Sequence, residues 1–234
     1  MQDNKIILSS GLPYIPDGNG GWKLYHLWDM GILNQNDGSI AHIWGTSFNN
    51  LFFAGERGTA VQCNNGTWQK IESGTTADIN DIWGINVNGS VKVYCAVSDF
   101  LQVSEHKILT ISGGTKVDSV KWGIGREVHS IWTKSGFPIY TAGDGVFENK
   151  QGHWEEQKQV SMYYSRNIRG NDLNDIFVCG DFGLFAHYNG ARWTIFKNLY
   201  INGAYLSLAV KDNLVIAVGF LSNEQAVIVV GKRN

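Results

Sequence analysis

Ile40–Trp68 reads IAHIWGTSFNNLFFAGERGTAVQCNNGTW, and Asn167–Trp193 repeats it as NIRGNDLNDIFVCGDFGLFAHYNGARW. Trp44 stands eleven residues before Gly55, and Gly55 thirteen before Trp68; Arg169, Gly180 and Trp193 keep both spacings. Extended along the chain, the position of Trp44 is taken by Trp83, Trp132, Arg169 and Leu208, at intervals of 39, 49, 37 and 39 residues. Each leads into a dense apolar run, LFFAG, KVYCAV, PIYTAG, DIFVCG or LVIAVG, and Gly55, Gly143, Gly180 and Gly219 each lie eleven residues past it. The second copy is stretched by VNGSVK. A repeat of about 40 residues is the mark of a solenoid or a propeller.

The apolar runs are short and rich in Val, Ile, Phe and Tyr, which reads as strands buried on both faces. No helical period competes with them. GERG and GDFG mark the turn after the second strand, and NNGTW, QGHW and YNGARW the turn into a Trp-led outer strand. One repeat is then a four-stranded antiparallel blade, and five repeats predict an all-β, five-bladed β-propeller. The blades fall at about 39–73, 78–121, 127–158, 165–198 and 203–234, in one domain spanning 1–234. The last copy ends without a Trp-led strand, while Asn19-Gly20-Gly21-Trp22 has the start of one. Residues 19–27 are therefore expected to complete the C-terminal blade, which would remove the exposed sheet edges. KIILSS is left as an extra strand or a surface segment.

Composition bounds the function. Charged residues are 17%, aromatics 12%, with 28 Gly, 3 Pro and a net charge of -2. No basic field for nucleic acid is present, and no apolar run of about 18 residues spans a membrane. The first ten residues lack the pattern of a signal peptide. The compartment stays open, an extracytoplasmic place with the export signal outside this chain being one option. Cys63, Cys95 and Cys179 lie far apart in apolar runs, without CxxC spacing, and are expected as buried free thiols, not a disulfide or zinc set. No cofactor and no metal site is expected, and the chain is expected to be monomeric.

Ile43-Trp44-Gly45-Thr46, Leu51 to Gly58 and Asn65 to Trp68, repeated from Asp175 to Trp193, resemble the phrase of a group of bacterial β-propeller repeat proteins. Members carry labels such as glucosyltransferase-like, glucosyl hydrolase-like or photosystem assembly factor-like. The resemblance covers almost the whole chain and implies the fold. The sialidase-type Asp-box is similar in position: Asp17 and Trp22 keep its spacing, but Ile15 and Asn19 replace its Ser and Gly.

Candidate chemistry lies on the propeller face where second-to-third-strand turns and interblade connections meet. Glu56, Asp99, Asp144 and Asp181 follow four of the five second strands, and Phe220 takes the fifth place. Carboxylates there could serve glycoside hydrolysis, or simply suit Gly-flanked turns. With Asp81, the catalytic candidates are Glu56, Asp144 and Asp181. The connections hold Trp28, Met30, Trp122, Met162, Tyr163, Tyr164 and Tyr200, with Phe100, Phe182, Arg57 and Arg166 nearby. Aromatics in loops call for a cause: stacking on a sugar, anchoring a protein interface, or folding back to plug the channel mouth. Trp44, Trp83 and Trp132 read as packing between blades, and Trp68, Trp154 and Trp193 as outer-strand scaffold. Arg169 replaces a Trp and could meet an anionic ligand or pair with Asp81. His42, Asp81, His129 and Asn167 fall near the starts of inner strands, and His42 with Asp81 is the nearest approach to a catalytic pair. No nucleophile motif or phosphate loop accompanies them.

Three functions fit. The leading one is a non-catalytic propeller that binds a carbohydrate or a protein through Trp28, His42, Arg57, Trp122, Tyr163, Tyr164, Arg166, Arg169 and Tyr200. The second is a glycoside hydrolase-like enzyme using the carboxylates, and the third a pure scaffold.

Overall fold

The computed structural model describes residues 8–9, 11–17, 19–99, 105–160 and 162–232. Phe100 and most of KIILSS lie outside them. The chain is all-β, with no α-helix among the described residues and only 3-10 turns at Glu56–Gly58 and Lys197–Leu199. No described helix is long and apolar enough to cross a membrane. The N-terminal strands are β1 (Leu8–Ser9), β2 (Pro13–Pro16) and β3 (Trp22–Leu24). The first blade is β4 (Ile40–Ser47), β5 (Asn50–Gly55), β6 (Ala60–Asn64) and β7 (Thr67–Lys70). The second is β8 (Ile79–Val87), β9 (Ser90–Ser98), β10 (His106–Ser112) and β11 (Lys116–Val120). The third is β12 (Val128–Thr133), β13 (Ile139–Gly143), β14 (Gly145–Lys150) and β15 (His153–Glu156). The fourth is β16 (Ser165–Asp172), β17 (Asp175–Gly180), β18 (Phe185–Tyr188) and β19 (Trp193–Ile195). The fifth has β20 (Gly203–Lys211), β21 (Leu214–Leu221) and β22 (Ala226–Lys232). Each blade is an antiparallel sheet in sequential strand order, and the fold is a five-bladed β-propeller. One compact unit holds β1–β9, β11 and most of β10; the other holds β12–β22.

Residues 22–24, from the segment expected to complete the fifth blade, form β3 in the first unit. β3 pairs with β2, Tyr14 facing Leu24 and Pro16 facing Trp22, in a separate sheet of order β1-β2-β3. The physical reason is local. Asp17 accepts hydrogen bonds from the backbone N–H groups of Asn19 (2.8 Å) and Gly21 (2.9 Å), closing a tight turn that lays β3 back on β2.

The repeated Gly and Trp positions have direct causes. A methyl on Gly55 or Gly180 would collide with the carbonyl of Ser39 or Tyr164, in the connection leading into the same blade. The Trp44 ring packs on Gly84 of the next blade and the Trp132 ring on Gly170, where side chains would strike the indoles. Successive residues of β5 serve two cores: Phe52 and Ala54 join Ile82, Val93 and Cys95, while Leu51 and Phe53 join Leu27, Ile40 and Val61. That two-sided burial is why the strand sequences are continuously apolar. The three cysteines are buried free thiols. Burial, with Asp81 nearby, pushes the Cys95 thiol up to about 12.

The hairpin register corrects the last repeat. Trp44 faces Phe52 and Arg169 faces Phe177, each three residues before the Gly; in β20 the residue facing Ile216 is Ala209. The β20–β21 hairpin is one residue shorter, so Ala209, not Leu208, is the counterpart of Trp44.

Candidate functional site

Each inner strand breaks register at its start, between Ile40 and His42, Ile79 and Asp81, Val128 and Ser130, Ser165 and Asn167, and Tyr205 and Ser207. A bulge re-aims the skipped side chain. In the unit of β12–β22 the skipped residues are His129, Arg166 and Leu206. Ser130 and Asn167, just beyond the bulges, join blades. Ser130 Oγ accepts the Ile168 N–H at 3.1 Å, and Asn167 Oδ1 accepts the Leu208 N–H at 3.3 Å. Those polar groups hold the scaffold.

Arg166, freed from the ladder, grips Asp181 with two hydrogen bonds, Nε to Oδ1 at 2.8 Å and Nη2 to Oδ2 at 3.3 Å. Its guanidinium also lies 4.7 Å from the centre of the Tyr164 ring. Tyr164 donates its hydroxyl to Glu127 Oε1, and its ring meets His129 edge-on at 5.7 Å. Burial raises the Tyr164 phenol well above its ordinary range, and the Glu127 carboxylate adds to the rise. Burial works against the Arg166 charge, but Asp181, with Tyr164 and Glu127, more than offsets it and raises the guanidinium pKa. A bidentate, partly buried arginine of this kind is rigid.

Over this network stands a cluster of exposed rings. Tyr163 lies 5.0 Å from Phe182 and 6.0 Å from Tyr200, centre to centre. Their exposures are 36%, 56% and 38%, and Met162 beside them is 96% exposed. The backbone fixes the cluster. The Asp181 N–H bonds the Tyr164 carbonyl at 2.9 Å, and the Phe182 N–H bonds the Gly203 carbonyl at 2.8 Å. The Ile201 N–H in turn bonds the Phe182 carbonyl at 3.2 Å. Phe182 has φ 57°, as does the matching Arg57 at 52°, so the left-handed conformation belongs to the turn. In this blade an aromatic takes that position, and its ring meets Tyr163.

Tyr163, Tyr164, Arg166, Asp181 and Tyr200 thus come together on one surface. Trp122 does not join it: the ring is buried, donates Nε1–H to the Arg126 carbonyl at 2.9 Å and packs edge-on against Phe147 and Trp154. Asp144 is exposed in its turn, its N–H bonded to the Glu127 carbonyl. Arg169 points its guanidinium at Ser130 Oγ (3.1 Å), the Ile168 carbonyl (2.8 Å) and the Ile131 carbonyl (3.4 Å). In the other unit, Trp28 packs half-buried over Leu27 and Leu33 and donates Nε1–H to the Asn34 carbonyl. Glu56 is exposed and accepts the Ser39 N–H, and the Arg57 N–H bonds Asp78. Asp81 is buried and His42 half-buried, both engaged in interactions of their own. Among the described residues no group of three His, Cys, Asp or Glu side chains comes together as a metal site. Glu127, which sequence reasoning missed, carries no motif; only its place just before a bulged strand could have drawn attention.

No protein-family model and no curated protein sequence matches the chain. Among solved structures it is similar to YCF48 bound to D1 peptide, with a TM-score of 0.70 and 12% identity over all of this chain and 77% of that one. It is also similar to Saccharomyces cerevisiae Sqt1, with a TM-score of 0.61 and 11% identity over 97% of this chain and 70% of that one. A third likeness is to the extracellular domain of the hybrid two component system BT3049 from B. thetaiotaomicron, with a TM-score of 0.60 and 14% identity over 99% of this chain and 34% of that one. These neighbours are β-propellers.

Proposed function

We propose that this propeller is a non-catalytic interaction module that holds a peptide segment of a partner protein on the Tyr163–Phe182–Tyr200 surface. The observation that carries the reading is three adjacent, exposed rings held by backbone hydrogen bonds above a bidentate Arg166–Asp181 pair. Rigid aromatic anchors next to an arginine are the residue types that dominate interface energies, and clustered exposed rings mark a contact surface. Glu127 and Asp181 against Arg166 leave one formal negative charge, which favours a basic residue beside the apolar anchor of the peptide. A propeller neighbour bound to a peptide supports the choice of a peptide over a glycan. Asp181 is committed to Arg166, so the arrangement gives it no free role as an acid or base.

The test is a selection of displayed random peptides on the immobilised protein, run beside a glycan array. Enriched peptides should share an aromatic or aliphatic anchor with a basic neighbour. Tyr200→Ala should weaken them at least tenfold, about the 1.4 kcal/mol or more lost when a central interface ring is truncated. Binding of glycans alone, or of peptides indifferent to Tyr200→Ala, would contradict the reading.

A further inference from the structure

The fourth and fifth blades meet without an indole between them. In the first and third blades a Trp on the inner strand, Trp44 or Trp132, fills the wedge beside Phe52 or Tyr140 and rests on a Gly of the next blade. In the fourth blade the counterpart is Arg169, whose guanidinium bonds to Ser130 and Ile131 of the preceding blade. Across the wedge the counterpart of Gly84 and Gly170 is Val210, which faces Val215. Beside Phe177 there is accordingly a cavity of about 380 Å³, opening to solvent near Leu214 and Lys232. Its walls include Phe177, Phe185, Phe196, Val215 and Val229.

One pole of the cavity is polar and already satisfied. His187 lies stacked on Phe177 at 4.3 Å, with its Nε2 2.9 Å from Asp175 Oδ1. Asn171 donates to Asp175 Oδ2 at 2.7 Å and to the Asp212 carbonyl at 2.8 Å. A charged ligand would lose water there, where the Asp175 carboxylate is already engaged by His187 and Asn171. A flat, neutral ring would gain contact with aromatic walls on several sides. The volume falls within the range of small-molecule sites, about 300–1,000 Å³.

We infer that this wedge is a binding site for a small neutral aromatic molecule of about the size of indole, seated against Phe177 and His187. It uses none of the three rings of the peptide surface and stands or falls separately. The probe is indole itself, titrated into the full chain and followed by amide chemical shifts. The expected result is saturable binding, with the shifts centred on Phe177, His187, Val215 and Val229. Val229→Phe, which fills the cavity, and Leu214→Trp, which caps its mouth, should each lower the affinity at least tenfold. Leu214 is exposed, so its variant folds even if the core variant does not. Failure to saturate up to the solubility limit of indole, shifts centred elsewhere, or undiminished binding in a natively folded variant would each overturn the inference.

Discussion

At position 183 a side chain has nowhere to go. Gly183 has φ +73°, and a methyl group on it would come within 2.5 Å of the Ile201 backbone nitrogen and 2.7 Å of the Leu199 carbonyl. Gly89 has φ +81° but open space around it. Both need the left-handed conformation, so Gly→Ala costs about 1 kcal/mol at either from the backbone alone. Only at 183 does the collision add to it, and that collision would push the 199–201 connection, and Tyr200 with it, away from Phe182. Gly183→Ala should therefore cost about 2–4 kcal/mol in urea denaturation, against about 1 for Gly89→Ala. Equal costs would mean that the connection yields freely. Close backbone approaches of this kind are legible in the sequence. Gly55 and Gly180 recur because two backbones touch there, and touching backbones leave a mark in the amino-acid alphabet. Glu127 leaves none, because a carboxylate meeting a tyrosine hydroxyl needs no particular spacing.

Strands and bulges are the level at which the site is made. The same bulge in each inner strand aims Arg166 at Asp181 and holds Ser130 and Asn167 to the next blade, yet nothing in the letters of β16 announces it. The hairpin of β20 shows the converse: counting back from Gly219 selects Leu208, whereas one residue fewer in the hairpin puts Ala209 in register. The Asn-Gly-x-Trp phrase before β3 was legible as the start of a strand, and the Asp17 turn sets its pairing with β2. Equivalent positions also differ in what covers them. Ala60 of β6 faces Ala54 and is fully buried; Ile228 of β22 faces Val218 in the same place and is 66% exposed. Ala60→Lys should cost at least 3 kcal/mol or prevent folding, while Ile228→Lys should change stability by no more than about 0.5 kcal/mol. A large loss at both positions by thermal denaturation would show that the β22 face is covered in solution. In the first blade, Lys70 Nζ lies 2.8 Å from Asp37 Oδ1. Burial alone would raise the Asp37 pKa, but the Lys70 ammonium and the Asn34 N–H outweigh it and hold the carboxyl below its ordinary value. The stability from this lowered pKa is present above the ordinary Asp value near 4 and is lost as the pH falls through the folded value. Asp37→Asn should flatten the acid limb of a stability-against-pH curve below about pH 4 and leave its shape between pH 5 and 8 unchanged. An unaltered acid limb would remove the pair from the stability account.

At the scale of the molecule, the repeat accounts for architecture, and the departures from it form the proposed binding surface. Trp44 and Trp132 are legible as scaffold because they recur. Trp122 looked like a ligand platform because it sits in a connection, yet it turns inward onto Trp154, a choice made by packing that loop position does not reveal. Tyr163, Phe182 and Tyr200 remain outside, brought together by a turn and two connections that are far apart in the chain. Structural likeness at 12% identity carries the fold, and the assignment of a peptide-binding surface rests on these rings and on Arg166. The most direct measurement is hydrogen exchange of the full chain with and without the most enriched peptide from the selection. The account expects added protection at residues 163–166, 181–183 and 199–203, with little change elsewhere. Protection centred on other segments, or none from a peptide that binds, would contradict it.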